Sequence, residues 1–399
     1  MKKLRNRYVI LLAAAIVNFS YGSAYIWSVF QPAAKEKFQL EAGSANRPFN
    51  IFMGLFVLGN ILGGKLQLKF GTRKTVLAGS FLMCLGFLLT ALVPSNLPSL
   101  LSITYGMMGG TGAGIAYNAL IAGTQKWFPD KRGMVTGIII CTVGAPGLIM
   151  TPILNACIAQ YGFSTSMEIV ALIYTIICFG IGWIVVSPSE EYMKNFHPTN
   201  VSVDNSIPNL PRYKQYTTSE VLRTKQFYLI SGAMMLAVPA YFLINPMMKS
   251  LGLDRGLTES LAITGIMISS VLNICGRLIA PWSSDKLGRK TMLIILFVIS
   301  MTSVLTLISA TGYLFLICVS MISFSYGGFF GIFPVIVVDY FGAQYSGMNY
   351  GVVMIGYGIV SILCPTIVSM GVGISFVVAG VACILGMICT IALRKPGKI

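Results

Sequence analysis

Long apolar runs separated by short polar breaks fill the chain from end to end. Runs such as residues 8–30, 75–93, 227–248 and 373–393 each hold about twenty residues with scarcely a charge, enough for a helix rising about 1.5 Å per residue to cross a hydrocarbon layer about 30 Å thick. They are continuously apolar and rich in Gly, Ala and Met, whereas membrane-barrel strands alternate apolar and polar positions over about ten residues. The pattern therefore predicts helices, with spans at about 8–30, 45–67, 75–93, 98–124, 133–158, 166–187, 226–248, 260–282, 290–310, 312–338, 346–370 and 373–393. The longest polar connection divides these twelve spans six and six. It predicts an N-terminal six-helix bundle over 1–187, a linker over 188–225 and a C-terminal six-helix bundle over 226–399.

Composition removes the soluble alternative. With 55% hydrophobic residues, 10% charged residues and a mean hydropathy of +0.79, the chain has too little polar surface to coat a water-soluble globule, so lipid is its solvent. A net charge of +16 would suggest nucleic acid, but the cations follow topology instead. Most lie on loops of the face that holds the N-terminus; Lys35, Lys37, Arg47, Lys249 and Arg255 lie on the other face, and Arg277 lies inside a span. The positive-inside rule then puts both termini in the cytoplasm and predicts an all-α, multi-pass inner-membrane protein with no nucleic-acid partner. The first run is too long for a signal-peptide core and has no clear cleavage site, which makes it the first membrane helix.

Little in this chain offers chemistry. The single histidine, His197, lies in the linker, and the nine cysteines fall in or near spans without CxxC spacing, so packing is their expected role and neither metal nor cofactor is expected. No GxxxxGK[ST] phosphate loop occurs, and GGTGAG at residues 109–114 sits inside an apolar run with no preceding strand, where close helix packing explains it. An enzyme would need an acid, a base or a metal in the spans, and a carrier fits better. An anion channel is the alternative from a different class; counterflow and saturation of flux would separate the two.

Residues 63–77, GGKLQLKFGTRKTVL, and residues 276–293, GRLIAPWSSDKLGRKTML, end the second and eighth spans at an offset of about 216 residues, the separation of the first span from the seventh. This internal repeat, with its tight basic loops, resembles the major facilitator superfamily over the full length. The resemblance implies a fold of two six-helix bundles rocking about a central site, with Gly64, Gly71, Arg73, Asp285, Gly288 and Arg289 as gating-loop residues. Leu68 stands where the motif usually has the acid that the second copy keeps as Asp285, so charge latching is expected from the second copy.

Arg277 is the cation inside a span. Holding it there uncompensated costs at least about 2.5 kcal/mol on insertion scales, so a function is expected; the alternative is a side chain reaching back to cytoplasmic water. Ser270, Asn273 and Arg277 share a face at spacings of three and four. With no acid nearby, a substrate carboxylate is the natural partner, gripped through a planar two-point fork. Tyr21 and Tyr25 in the first span, Tyr117 in the fourth, Tyr326 and Phe330 in the tenth and Tyr357 in the eleventh could bracket a small organic anion.

Residues 24–30 (AYIWSVF), 114–138 (GIAYNALIAGTQKWFPDKRGMVTGI), 273–289 (NICGRLIAPWSSDKLGR) and 331–351 (GIFPVIVVDYFGAQYSGMNYG) resemble the oxalate/formate antiporter family, near the monocarboxylate transporters. The resemblance implies that Arg277 binds a carboxylate inside an aromatic cage that includes Tyr25, Tyr326 and Phe330. Oxalate carriers of the family add a lysine in the eleventh span, where Tyr357 stands here. Proton-coupled relatives often carry an aspartate one turn before the arginine, where Asn273 stands. The expectation is a secondary or facilitative transporter, monomeric in the bilayer, moving a monocarboxylate such as lactate, pyruvate or formate by exchange or uniport. An oxalate:formate antiporter and a proton-coupled symporter are the alternatives.

Overall fold

The computed structural model describes residues 6–40, 47–189, 192, 215–244 and 248–394, and every regular element among them is helical. Eight helices are long and apolar enough to cross a membrane by length and composition. The other predicted crossings are helical too. The fifth and sixth run together as Arg132–Gly182, divided at Gly162 where φ is 73°. The fourth is a π-helical stretch, Ser102–Gly109, followed by Gly110–Gln125. The eighth, Glu259–Leu287, carries charges at its ends and Arg277 within. The eleventh is Ser346–Val353 and Ile355–Ser369, separated at Met354. The result is a twelve-helix membrane protein. Its linker contributes a short helix, Thr218–Leu222, begun by a capping box between Thr217 and Glu220, and His197 falls outside the described residues.

Large apolar side chains such as Leu12, Phe81, Leu172, Ile176, Ile317 and Val377 stand exposed on outward faces, a surface that would be untenable in water and that suits lipid. The interior belongs to other spans. In their most apolar windows, 89% of Gly312–Phe341 and 72% of the first span are buried, against 39% of Gly373–Ala392. The first and tenth spans are therefore placed to supply a central site. The first span is not one continuous α-helix: Arg7–Tyr21 passes into a 3₁₀ turn, Gly22–Ile26, and then Trp27–Phe38. Close packing explains the GGTGAG run, since a methyl group on Gly110, Gly112 or Gly114 would strike the backbone of Phe52, Met83 or Phe56.

The two halves meet on the face that carries the basic loops. Gly71 and Gly288 are one-residue turns joining consecutive helices, at φ 80° and 89°, a conformation that glycine adopts without strain. Gly64 lies so close to the Gly347–Met348 backbone that a Cβ would collide with it. Asp285 accepts hydrogen bonds from the backbone N–H groups of Gly133 (3.2 Å) and Met134 (3.0 Å). The carboxylate thus caps the N-terminus of a helix from the other half, where the helix dipole favours negative charge by about 0.3–1 kcal/mol. Arg289 holds it at 2.6 Å and also donates to Asp339 at 2.9 Å, while Arg132 reaches Asp339 from the other half at 3.3 Å. Among the described residues the first copy of the loop has no matching ion pair. Leu68 is exposed, and Arg73 lies over the Trp183 ring at 6.0 Å. Deeper in the same seam, Asn118 Nδ2 donates to both Asn60 O and Gly347 O at 2.6 Å, tying the fourth span to the eleventh.

Replacing Asp285 with Asn removes the negative charge at that helix end and its pairing with Arg289. Loss of about 1 kcal/mol of closure should speed hydrogen exchange at the Gly133 and Met134 amides by about fivefold, read by exchange mass spectrometry. Unchanged exchange there would show that the carboxylate does not hold the seam.

Candidate functional site

The site is organised by one charge. Arg277 lies on the eighth span at 1% exposure, so the guanidinium is out of contact with water and must be satisfied by protein groups. Its Nε donates to Asn273 Oδ1, one turn earlier on the same helix, at 2.8 Å. Its Nη2 donates to the Tyr25 hydroxyl in the 3₁₀ turn of the first span, at 2.6 Å. The guanidinium carbon is 5.5 Å from the ring centres of both Tyr25 and Phe330, a cation–π arrangement from two sides. No carboxylate pairs with Arg277 among the described residues, and Nη1 makes no hydrogen bond there.

Next to this group lies a cavity of about 30 Å³ lined by Tyr21, Ala24, Tyr25, Phe52, Met53, Phe56, Tyr117, Val143, Arg277, Phe330 and Tyr357. Six of the eight residues expected at the site from sequence, Arg277, Tyr25, Phe330, Tyr357, Tyr21 and Tyr117, line it. They present different parts of themselves. The Tyr21 hydroxyl is turned to Ser80 Oγ at 2.7 Å, leaving its ring to face the cavity. The Tyr117 hydroxyl is buried with no hydrogen-bond partner among the described residues, as is the Asn273 Nδ2 group. Tyr357 packs edge-on to Phe330 at 5.1 Å, and its hydroxyl meets Met53 Sδ of the second span at 3.7 Å. Asn273 does not line the cavity but fixes the guanidinium from behind. Tyr326 forms a second layer, stacked on Tyr241 at 4.1 Å and 7° and packed against Phe330 at 5.4 Å. Ser270, expected on the Arg277 face, is exposed and lies away from the cavity lining: spacings of three and four hold a face together over a turn, and the cavity is shorter than that stripe.

Sequence reasoning missed Ala24, Phe52, Met53, Phe56 and Val143, which also line the cavity, and Tyr241 with Phe242, which back the aromatic layer. The signal for the last pair was Pro239, which begins a new helical segment, Pro239–Ile244, in the seventh span and so redirects the two rings. No group of three His, Cys, Asp or Glu side chains able to hold a metal occurs among the described residues. Chemically the arrangement offers a fixed cation with free N–H donors, an unpartnered phenol and apolar walls. That set can hold and orient an anion.

Comparison with known proteins places this geometry in a family. An MFS-type transporter of Escherichia coli K12, YhjX, itself uncharacterized, is 26% identical over 368 residues, covering 90% of this chain and 86% of its own. The oxalate:formate antiporter of Oxalobacter formigenes is 24% identical over 352 residues, covering 87% and 81%. Among solved structures, the transporter FucP in its outward conformation superposes with a TM-score of 0.73 at 15% identity, over 96% of this chain and 99% of that one. The family model for the Major Facilitator Superfamily matches residues 10–365; the chain belongs to that superfamily and is a transporter, not an enzyme.

Proposed function

We propose that the chain carries small monocarboxylate anions of the lactate, pyruvate or formate type across the cell (inner) membrane by alternating access, through exchange or facilitated diffusion. The observation that carries this reading is Arg277, the single buried cation among the described residues, facing a cavity whose other walls are aromatic and apolar. One guanidinium balances one carboxylate, and a dianion would leave its second charge uncompensated among apolar side chains. The cavity is small: holding one water takes about 10–15 Å³, so about 30 Å³ suits a ligand of a few heavy atoms. The relative that exchanges oxalate for formate supports a small-carboxylate class. No Asp or Glu among the described residues lines the cavity and Asn273 cannot titrate, which favours exchange or facilitated diffusion over proton symport. The Asp285 and Asp339 contacts would serve as the latch that opens when the site turns to the basic face, which the positive-inside rule makes cytoplasmic.

Arg277→Ala removes the cation, and Arg277→Lys keeps a charge but loses the planar fork and the bond geometry to Tyr25 and Asn273. Both variants should reach the membrane and bind pyruvate at least tenfold more weakly, the equivalent of about 1.4 kcal/mol. Near-normal uptake by the alanine variant would overturn the site assignment.

Tyr357→Lys places a second cation against the same cavity. The affinity of oxalate relative to lactate should rise by about tenfold, since a partly dry pair of opposite charges is worth a few kcal/mol at most after desolvation. Affinities of oxalate, formate, lactate and pyruvate measured on both proteins check this. An unchanged ranking would make Tyr357 a packing residue.

A further inference from the structure

We infer that the Tyr25 hydroxyl takes the place of a substrate carboxylate on Arg277 whenever the carrier closes unloaded, so that this chain returns without cargo and performs net one-way transport as well as exchange. The inference rests on the reading of Arg277 as the carboxylate-binding cation. It starts from the Arg277 Nη2 to Tyr25 Oη bond at 2.6 Å, which joins the eighth span of one half to the first span of the other.

In a form open to either side, water hydrates the guanidinium. In a closed form that hydration is lost, and a buried charge left unpaired is costly enough to keep the form from being populated. A loaded carrier meets this cost with the substrate's carboxylate. An unloaded one must meet it with its own groups, and Arg277 has such groups within hydrogen-bond reach. Arg277 is 1% exposed while Tyr25 Oη and Asn273 Oδ1 accept its hydrogen bonds and the Tyr25 and Phe330 rings flank it. Asn273 shares a helix with Arg277 and stays bonded whichever way the halves rock. Tyr25 comes from the opposite half, so its bond forms as the halves approach and breaks as they part. It is therefore the contact that specifically favours the unloaded closed form. Among the described residues no second cation lines the cavity, so closing unloaded brings no like-charge repulsion there that only an anion could relieve.

The test uses the full-length chain in proteoliposomes loaded with radiolabelled pyruvate, with valinomycin and potassium holding the membrane potential at zero. Two initial rates are compared: efflux into medium containing pyruvate, and efflux into medium without it. The wild type should show net efflux at a measurable fraction of its exchange rate. Tyr25→Phe keeps the ring and removes the hydroxyl, and should lower the ratio of net to exchange flux about tenfold, whatever happens to the absolute rates. Exchange without net efflux in the wild type, or an unchanged ratio in Tyr25→Phe, would overturn the inference while leaving the carboxylate reading intact. Absence of net efflux in the wild type overturns the inference even where the variant fails to fold. Wild-type exchange of none of pyruvate, lactate and formate would overturn the carboxylate reading and this inference with it.

Discussion

A guanidinium held away from water inside a lipid-embedded protein constrains everything around it. Arg277 cannot shed its proton under ordinary conditions, and lipid offers it nothing. Each neighbour can be understood as an answer to that charge. Asn273 turns its carbonyl oxygen to Nε. The 3₁₀ turn of the first span delivers the Tyr25 hydroxyl and ring face. Phe330 supplies a second ring, itself held by Tyr326 and, through the stack on Tyr241, by the seventh span. The N–H groups left over face a small cavity, so the same constraint that organises the packing creates a place for an anion.

The seam on the basic face is built differently in its two parts, and the repeat explains why. The second copy of the loop keeps Asp285, which can cap a helix of the other half and pair with Arg289. The first copy has Leu68, and among the described residues its side of the seam rests on uncharged contacts: Gly64 against the Gly347–Met348 backbone, and Asn118 bonded to Gly347 O. The linker joins that uncharged side. Tyr216 N–H donates to Phe341 O, Tyr216 O accepts from Asn349, and Thr218 donates to Asn349 Oδ1, bracing the turn that leads into the eleventh span. The charge pairs of the other side, Arg289 with Asp285 and Asp339 and Arg132 with Asp339, are partly exposed, so water weakens them, as the proposed latch requires.

How much of this could be seen in the chain depends on the physical character of each signal. A charge in an apolar run stands out because it is costly, and Arg277 could be picked from residues alone. Gly71 and Gly288 stood out because a one-residue turn at positive φ is kept where glycine is kept, and the loop repeat carried both. Phe52, Met53 and Phe56 could not be picked, because an apolar residue facing a cavity and one facing lipid look the same in sequence. The break at Met354 has neither proline nor glycine to announce it, since tertiary packing imposes it. Hydroxyl direction was equally invisible: nothing in the first span says that Tyr21 bonds Ser80 while Tyr25 bonds Arg277.

The central claim is that one buried charge selects one carboxylate, and binding to the purified wild-type chain tests it most directly. Calorimetric titration should compare pyruvate, its uncharged amide pyruvamide, and the dianion oxalate. The two pyruvate compounds have nearly the same size and shape, so only the charge on Arg277's partner separates them. The account predicts that pyruvate binds, that pyruvamide binds at least tenfold more weakly, the equivalent of about 1.4 kcal/mol, and that oxalate also binds more weakly than pyruvate. Equal binding of pyruvate and pyruvamide, or tightest binding of oxalate, would contradict it.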